Sequence, residues 1–335
     1  TRPEELERIS GSRLHRFASL LDARLRCADF PTLVHGDAKL ANFCFSKDGK
    51  SVAAVDFQYV GRGCAMKDVA YFVGSCLSGS ECERLESQIL DTYFSALRTC
   101  LSPDINAQEI EVQWRELYPV AWADFQRFMT GWSPNHRKLT SYSDHTTERA
   151  MKAITDELVD AARRAAKSAG TFIKSRLHHG VQVMSKGFAS RAADVVTEID
   201  LMAQAIVVDH LAPSIARYDL GLLGEEGEHD DSRTGKHAFW TIDPLDGTQC
   251  FIDGQPGFAT SIALVSRLGE PLLGVVYDPV NEELFESVRG QGVYLNGVRV
   301  EPLVPGSQGA NRPTRFADRS LERHPQFRHQ LTQFD

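Results

Sequence analysis

The stretch that most constrains the fold is FWTIDPLDGTQCF, at residues 239–251. An apolar run of strand-like residues ends there in Asp243 and Asp246, with Pro244 and Gly247 beside them. Asp, Pro and Gly are the residues that turns select, so one interpretation is a simple turn. The other interpretation is a metal site at the end of a buried strand. The rest of the chain has to decide between them.

The composition is that of a globular protein with room for two domains: 335 residues, 42% apolar and 24% charged. A net charge of -8 gives no support for binding a nucleic-acid polymer through a basic face. No apolar run approaches the ~18 residues of a membrane span. The seven cysteines contain no Cys-x-x-Cys pair. We therefore expect reduced thiols, a cytoplasmic location and no membrane partner, in a chain that starts at Thr1 as a fragment or processed product.

Two regions differ in character. Residues 1–147 are mainly helical, with buried strands predicted at TLVHGD and VAAVDF, and polar residues at 130–147 predict a linker. Thr155 is the predicted N-cap of a helix with one apolar face, and short strands with further helix follow it. The predicted fold is therefore two domains, a mainly α domain at 1–147 and an α/β domain at 148–335.

Three acidic segments border predicted strands or helices in the second region: DVVTEID, LLGEEGE and IDPLDGT. If Asp200, Glu225, Asp243 and Asp246 converge, each like-charge pair at ~4 Å costs about 4 kcal/mol at an effective dielectric near 20. Such a cluster raises its own pKa values or recruits cations. Oxygen ligands favour Mg²⁺ over zinc, so we predict Mg²⁺ here, with the Leu245 carbonyl as a further ligand.

The residues after Asp246 predict the reaction. Gly247 and Thr248 begin a predicted helix, and the free N–H groups at a helix N-terminus suit phosphate. The Thr248 hydroxyl is expected to pass a proton from the attacking water to Asp200, because a bound metal lowers the pKa of that water. Thr248 and Asp200 are thus the candidate catalytic residues.

At these residues the chain resembles the inositol monophosphatase superfamily of Mg²⁺-dependent, lithium-sensitive phosphomonoesterases. The likeness runs from about residue 150 to 303 and is carried by DVVTEID, GEE, WTIDPLDGTQCFIDGQPGFATSIALV and GVVYDPVNEELFESVRGQGVYLNG. It implies a layered αβαβα sandwich. It also implies the same roles by position: metal ligation by Glu225, Asp243, the Leu245 carbonyl and Asp246, water activation by Thr248 and Asp200, and phosphate binding by the amides of Gly247 and Thr248.

The resemblance implies a small phosphate ester as substrate. A sugar-alcohol phosphate like inositol monophosphate is favoured, and the 3'(2'),5'-bisphosphate nucleotidase branch stays open because FIDGQPGFATSIALV resembles it too. Gln249 and Cys250 depart from both branches. The family supplies one more metal-binding Asp from a later segment. Asp318 is the only mid-segment Asp here and its context differs, so we expect this domain to be incomplete. A homodimer is left open.

A second motif lies in the first region. LVHGDAKLANF puts Asp37 and Asn42 five residues apart after a predicted strand, and AAVDFQ places Asp56 after another. Phosphoryl transfer needs a base such as Asp37 for the substrate hydroxyl, and Mg²⁺ ligands such as Asn42 and Asp56. These residues resemble the C-terminal lobe of aminoglycoside-phosphotransferase-like and choline-kinase-like enzymes, closest to the ecdysteroid-kinase-like branch. In that likeness Asp68 orders the loop.

The kinase-like resemblance covers about residues 1–145. It implies ATP as a cosubstrate only if a nucleotide-binding lobe lies upstream, because about 34 residues precede His35 and they read as helix. Three functions therefore stay open: a Mg²⁺-dependent phosphomonoesterase within a kinase–phosphatase fusion, a small-molecule kinase, and a binding protein with impaired catalysis.

Overall fold

The computed structural model describes residues 12–177, 183–185, 195–226 and 231–301. The chain divides into two compact units. The first unit comprises Thr1–Ala161, Leu211–Gly221 and Ser232–Ala238, and the second comprises Ala162–His210, Leu222–Asp231 and Phe239–Asp335. This division follows packing, so it does not test the predicted sequence domains 1–147 and 148–335, which stay predictions. Asp318 lies outside the described residues.

The first unit is mainly helical. Its elements are α1 (Arg13–Arg26), β1 (Thr32–Val34), β2 (Phe43–Phe45), β3 (Val52–Ala54), β4 (Gly61–Gly63), α2 (Met66–Cys76), α3 (Gly79–Cys100), α4 (Ala107–Trp132) and the first part of α5 (Ser141–Arg176). Strand β1 pairs antiparallel with β4, and β2 pairs antiparallel with β3. Helices α1 and α2 pack against α4, where Trp114, Tyr118 and Trp122 are buried.

The long helices begin where the sequence supplies caps. Ser78 and Glu81 form a capping box at the start of α3, each side chain bonded to the other residue's backbone N–H. Asn106 caps α4 by accepting from the backbone N–H of Glu109. These caps satisfy N–H groups that have no partner within the helix. The mainly helical character predicted for residues 1–147 is confirmed here by α3 and α4.

The predicted strands at TLVHGD and VAAVDF exist, but the prediction that both are buried is wrong. Leu33 in β1 is 76% exposed and Val52 in β3 is 56% exposed. The strands form two-stranded pairs, which can cover only one face. The apolar side chains of Phe45, Val52 and Phe57 line a groove of about 830 Å³ that runs between the β2–β3 pair and helices α2 and α3.

The predicted linker and helix start are also corrected. Helix α4 extends to Trp132 and α5 begins at Ser141. Of the predicted linker at 130–147, residues 130–132 and 141–147 are therefore helical, and only residues 133–140 form a connection. Thr155 lies inside α5, where its buried hydroxyl donates to the carbonyl oxygen of Met151 at 2.7 Å. A threonine can satisfy its hydroxyl this way within a helix, and the sequence alone does not distinguish that from a cap.

The apolar face predicted for this helix is confirmed. Its buried residues include Leu158, Ala161, Ala162, Ala165, Ala166, Ala169 and Ile173. The short alanine side chains let this face of α5 pack closely, and Gly170 allows the helix backbone to lie close to Tyr277 in the sheet. A Cβ at Gly170 would lie 2.6 Å from Cδ1 of Tyr277. Arg163 on the same helix forms an ion pair with Glu286 at 2.9 Å.

The second unit is built on a seven-stranded sheet in the order β13-β12-β11-β10-β9-β8-β7. Strands β9 to β13 pair antiparallel in sequence, so they form a meander. The strands are β7 (Gly221–Gly224), β8 (Ala238–Asp246), β9 (Ala259–Ser266), β10 (Pro271–Asp278), β11 (Glu283–Val288), β12 (Gly292–Leu295) and β13 (Val298–Val300). These strands confirm the short strands predicted after the helix at Thr155. The full αβαβα layering stays a prediction.

The second unit also contains a two-stranded pair, β5 (Val183–Ser185) with β6 (Val195–Thr197), and the first part of helix α6 (Glu198–Tyr218). The residues of α6 from Leu211 onward belong to the first unit. Helix α6 has the length and the mean hydropathy, 1.2, of a membrane span, a criterion that buried core helices also meet. All seven cysteines are free thiols, as predicted.

We predict that Gly170→Ala destabilises the protein, although alanine is favoured over glycine by about 1 kcal/mol in a helix interior. The added Cβ meets the Tyr277 ring, and overpacking of this kind costs about 1–3 kcal/mol. Urea unfolding measures the change. The matched control is Lys167→Ala on the exposed face of the same helix, expected to stay within about 0.5 kcal/mol of wild type. An increase in stability for Gly170→Ala would contradict the packing described here.

Candidate active site

The acidic motif lies on strand β8, which continues through Asp246. The predicted turn at Pro244 is therefore wrong, because the residue keeps the strand conformation. Its carbonyl oxygen accepts a hydrogen bond from the hydroxyl of Thr260 on the neighbouring strand at 2.9 Å. Trp240 and Ile242 are buried and Asp243 falls between the buried positions, as the period of two along a strand requires.

The strand ends at Gly247, which adopts a left-handed conformation with φ +86°. A Cβ at this position would lie 2.5 Å from the carbonyl oxygen of Gly257, so only glycine fits. Helix α7 (Thr248–Ile252) begins at the next residue, which confirms the helix predicted after the motif. The hydroxyl of Thr248 donates to the carbonyl oxygen of Leu245 at 3.0 Å. The chain thus reverses directly behind the two aspartates.

Asp243 lies near two of the other three predicted carboxylates, Glu225 and Asp246. Burial is the main cause that raises the pKa of Asp243 to about 7, and the negative charges of Glu225 and Asp246 add to it. Near neutral pH without metal, Asp243 is therefore only partly ionised.

The loop that carries Glu225 is held by a residue that the sequence analysis did not single out. The side chain of Gln204 on helix α6 bonds both backbone groups of Glu226: its amide donates to the carbonyl oxygen at 2.6 Å, and its oxygen accepts from the N–H at 3.0 Å. A Cβ on Gly224 would lie 2.6 Å from this amide oxygen. Such pairing between a distant glutamine and a Gly-Glu-Glu loop leaves no periodic signal in the sequence.

Asp200 lies in the first turn of α6 and is 3% exposed. Its burial suits a group that receives a proton away from bulk water, and the proton path from Thr248 to Asp200 stays a prediction. Within the described residues, no group of three or more His, Cys, Asp or Glu side chains already has the arrangement of a metal site. Glu225 and Asp246 are close enough to Asp243 to raise its pKa beyond the effect of burial, but the three side chains do not have the geometry of metal ligands in this structure.

This cluster fits a hard divalent cation by its chemistry. All of the donors are oxygen atoms, which Mg²⁺ prefers. Burial and the neighbouring charges of Glu225 and Asp246 together raise the pKa of Asp243, and a bound cation would offset both effects. Cation binding would displace the proton that Asp243 partly holds, because a carboxylate ligates in its ionised form.

The candidate residues of the first unit form a second site. Asp37 and Asn42 are buried, and the Asn42 amide donates to the carbonyl oxygen of Asp37 at 2.8 Å and to its carboxylate at 3.0 Å. Lys39 forms an ion pair with the same carboxylate oxygen at 2.7 Å. Burial opposes ionisation of Asp37, but the hydrogen bonds from Lys39, Asn42 and Tyr71 prevail and lower its pKa. Asp37 is therefore ionised, as a base must be.

The loop before Asp37 is ordered by Asp68, as the resemblance implied. The Asp68 carboxylate accepts from the backbone N–H groups of His35 at 2.5 Å and Gly36 at 3.0 Å. Gly36 has φ +80°, and a Cβ there would lie 2.4 Å from the carbonyl oxygen of Tyr59. These contacts hold Asp37 at the end of β1.

Asp56 is exposed and has a left-handed backbone with φ +66°. It is near enough to Lys39 to act on it: the hydrogen bond with Asp37 raises the pKa of Lys39, and the charge of Asp56 adds a smaller contribution. The roles of Asn42 and Asp56 as Mg²⁺ ligands stay predictions.

Comparison with known proteins agrees with both resemblances. The model of the inositol monophosphatase family matches residues 154–334, more than half of the chain. The model of the ecdysteroid kinase-like family matches residues 1–106.

Individual relatives match the second region. Inositol-1-monophosphatase of Bacillus subtilis is 32% identical over 147 residues, which are 44% of this chain and 53% of the relative. Nus factor SuhB of Salmonella typhimurium is 39% identical over 145 residues, 43% of this chain and 51% of the relative. Among solved structures, the extragenic suppressor protein suhB of Bartonella henselae is 36% identical with a TM-score of 0.36, covering 42% of this chain and 52% of that one. The chain thus spans about half the length of the curated relatives it matches.

We predict that Asp243→Asn changes the pH dependence of stability in the metal-free protein. The folded-state pKa of Asp243, about 7, lies above its ordinary value of 3.8, so the stabilisation it contributes is present at low pH and is lost as pH rises through 7. In a chelator, the melting temperature of the variant relative to wild type should therefore rise between pH 5 and pH 8 by several degrees.

The control is Asp209→Asn on the exposed face of α6, whose difference from wild type should not change with pH in the same way. A flat difference for Asp243→Asn would mean that the three carboxylates do not crowd one another.

Proposed function

The chain belongs to the inositol monophosphatase family, and from that premise we propose that it is a Mg²⁺-dependent phosphomonoesterase acting on a small phosphorylated metabolite. The observation that carries the proposal is the partly buried Asp243 near the end of β8 beside Glu225 and Asp246, where burial and then the two neighbouring charges raise its pKa to about 7. The proposed substrate is a sugar-alcohol phosphate like inositol monophosphate, with a 3'(2'),5'-bisphosphate nucleotide as the alternative. Cytoplasmic location, lithium sensitivity and a homodimer belong to the same proposal.

In this proposal Glu225, Asp243, Asp246 and the Leu245 carbonyl hold Mg²⁺. When bound, the metal lowers the pKa of water and neutralises the phosphate. Asp243 would bind the metal in its ionised form, so metal binding would displace the proton that its raised pKa of about 7 lets it partly hold. Leu245 contributes through its backbone, so its buried side chain serves only to anchor the strand.

Gly247 and Thr248 act on the phosphate and the attacking water. The left-handed backbone of Gly247 turns the chain so that the first N–H groups of α7 are available to the phosphate oxygens. The Thr248 hydroxyl donates its one proton to the Leu245 carbonyl in this structure. In the proposed path the hydroxyl would turn from Leu245 and give that proton to the Asp200 carboxylate as its oxygen accepts a proton from the attacking water. The buried carboxyl of Asp200 is the proposed end of that proton path.

The test is phosphate release from myo-inositol monophosphate and from adenosine 3',5'-bisphosphate, with and without Mg²⁺ and Li⁺. We predict that Thr248→Ala lowers kcat by about 100-fold, the lower range for loss of general acid–base catalysis. Thr248→Ser keeps the hydroxyl and should retain most of the rate. Asp209→Asn, away from the site, should match wild type.

No Mg²⁺-dependent release from either ester by the wild-type chain would contradict the proposed activity. Calorimetry then separates the remaining case: Mg²⁺ binding without turnover would indicate a binding protein with impaired catalysis.

A second candidate function is favoured by the first unit. The ionised Asp37, bonded to Asn42 and held by a loop that Asp68 orders, has the arrangement of a base for phosphoryl transfer, and the ecdysteroid kinase-like family model matches this region. In a protein that includes an upstream nucleotide-binding lobe, ATP-dependent release of ADP that is lost in Asp37→Asn and kept in Thr248→Ala would support a small-molecule kinase. Failure of that longer protein to bind ATP would reject it.

A further inference from the structure

Lys138 is a half-buried cation whose position the proposed phosphatase does not explain. It lies in the connection between α4 and α5, with Nζ 5.2 Å from the ring centroid of Tyr71 and 5.5 Å from that of Phe125. The two rings pack with centroids 4.8 Å apart. Within the described part of the chain, no carboxylate lies at ion-pair distance from Lys138, whose stabilising contacts are ring faces.

The same lysine borders the Asp37 site through Tyr71. Burial raises the pKa of the Tyr71 hydroxyl, and Tyr71 is close enough to Asp37 for the Asp37 carboxylate to raise it further. Lys39 forms an ion pair with that carboxylate at 2.7 Å, so the Asp37 carboxylate already has a cation of its own. Burial lowers the pKa of Lys138, and the positive charges of Arg137 and Lys39 lower it further, while Cys76 and Asp37 oppose them. Positive charge thus exceeds negative charge around Lys138.

The excess of positive charge around Lys138 favours an anionic ligand over a cationic one. A cation would be repelled by Lys138 and Arg137, and it would find the Tyr71 and Phe125 faces already engaged by the Lys138 ammonium. An anion would instead supply the counter-charge that a partly buried ammonium lacks, in a charge-assisted hydrogen bond.

We propose that Lys138 binds the anionic group, phosphate or carboxylate, of a small molecule that lies beside Asp37 and Tyr71. A ligand of this site is therefore acidic, and cationic alcohols such as choline are excluded. The site belongs entirely to the first unit, and it requires neither Mg²⁺ nor turnover in the second.

The test is NMR of the full chain in the presence of a chelator. Its lysines are reductively methylated with ¹³C, which leaves their positive charge in place. The Lys138 resonance is the one that is missing in Lys138→Gln. The probes are inorganic phosphate, acetate, glycerol 3-phosphate, glycerol and choline at constant ionic strength. We expect the Lys138 resonance to shift saturably with glycerol 3-phosphate and with inorganic phosphate or acetate, and to stay in place with glycerol and choline. The comparison of phosphate with acetate separates the two anionic groups.

The internal control is Lys152, 73% exposed on α5 and paired with Asp156, whose resonance should not move. A calorimetric titration of glycerol 3-phosphate gives the variants' affinities. We expect Lys138→Gln to lose at least 10-fold in the affinity measured by calorimetry, and Lys138→Arg, which restores the charge, to remain within about 3-fold of wild type; Lys152→Gln should equal wild type.

Three outcomes would overturn the proposal: no saturable shift of Lys138 with any anion, an equal shift of Lys152, or a shift with choline. The measured signal is the resonance of Lys138 itself, and the chelator removes Mg²⁺. If that resonance does not shift, the phosphatase proposal is therefore unaffected. Loss of Mg²⁺-dependent phosphate release would likewise leave this one intact.

Discussion

The register of strand β8 is the constraint on which the second unit depends. Trp240, Ile242 and Leu245 are buried, and a slip of one residue would bring carboxylates into their places. The apolar side chains therefore determine where the carboxylates lie. The charge crowding at the end of the strand follows from the burial of its middle, and the free energy of that burial offsets the repulsion among Glu225, Asp243 and Asp246.

The two sites show how one residue type acquires opposite properties. Asp243 is surrounded by other carboxylates and its pKa is raised, whereas Asp37 receives hydrogen bonds from Lys39, Asn42 and Tyr71 and its pKa is lowered. The first carboxyl is prepared to exchange a proton for a cation. The second is prepared to accept a proton from a substrate. Each environment suits the chemistry that we propose for its own unit.

Much of this could be predicted from the sequence where the signal is local. The apolar face of α5, the strands of the sheet and the helix at Thr248 follow from periodicity and turn chemistry. The convergence of Asp200, Glu225, Asp243 and Asp246 was a hypothesis from the three acidic segments and stays one, although Glu225 and Asp246 lie near enough to Asp243 to raise its pKa beyond the effect of burial. The burial of the β3 strand was predicted wrongly, because a run such as VAAVDF does not tell whether another segment covers it.

Long-range contacts explain what the sequence could not predict. Gln204 holds the Glu225 loop across 22 residues of chain, and Lys138 lies over Tyr71 across an even longer separation. Neither contact has a spacing that a pattern could detect. Thr155 shows the converse case: a residue with the chemistry of a cap lies in the interior of a helix, because the helix already begins at Ser141.

The uninterrupted course of α5 has a practical consequence for anyone who wants to separate the two halves. Cutting after residue 147 would divide the helix and remove Ala150, Met151, Ile154 and Leu158, all of them buried in the first unit. The remaining fragment would expose the apolar surface that these side chains had covered, and it would tend to aggregate. A fragment that ends at Ala161 would keep these four residues, but it would still lack Leu211–Gly221 and Ser232–Ala238, which belong to the same unit, so the two halves are better expressed as one chain.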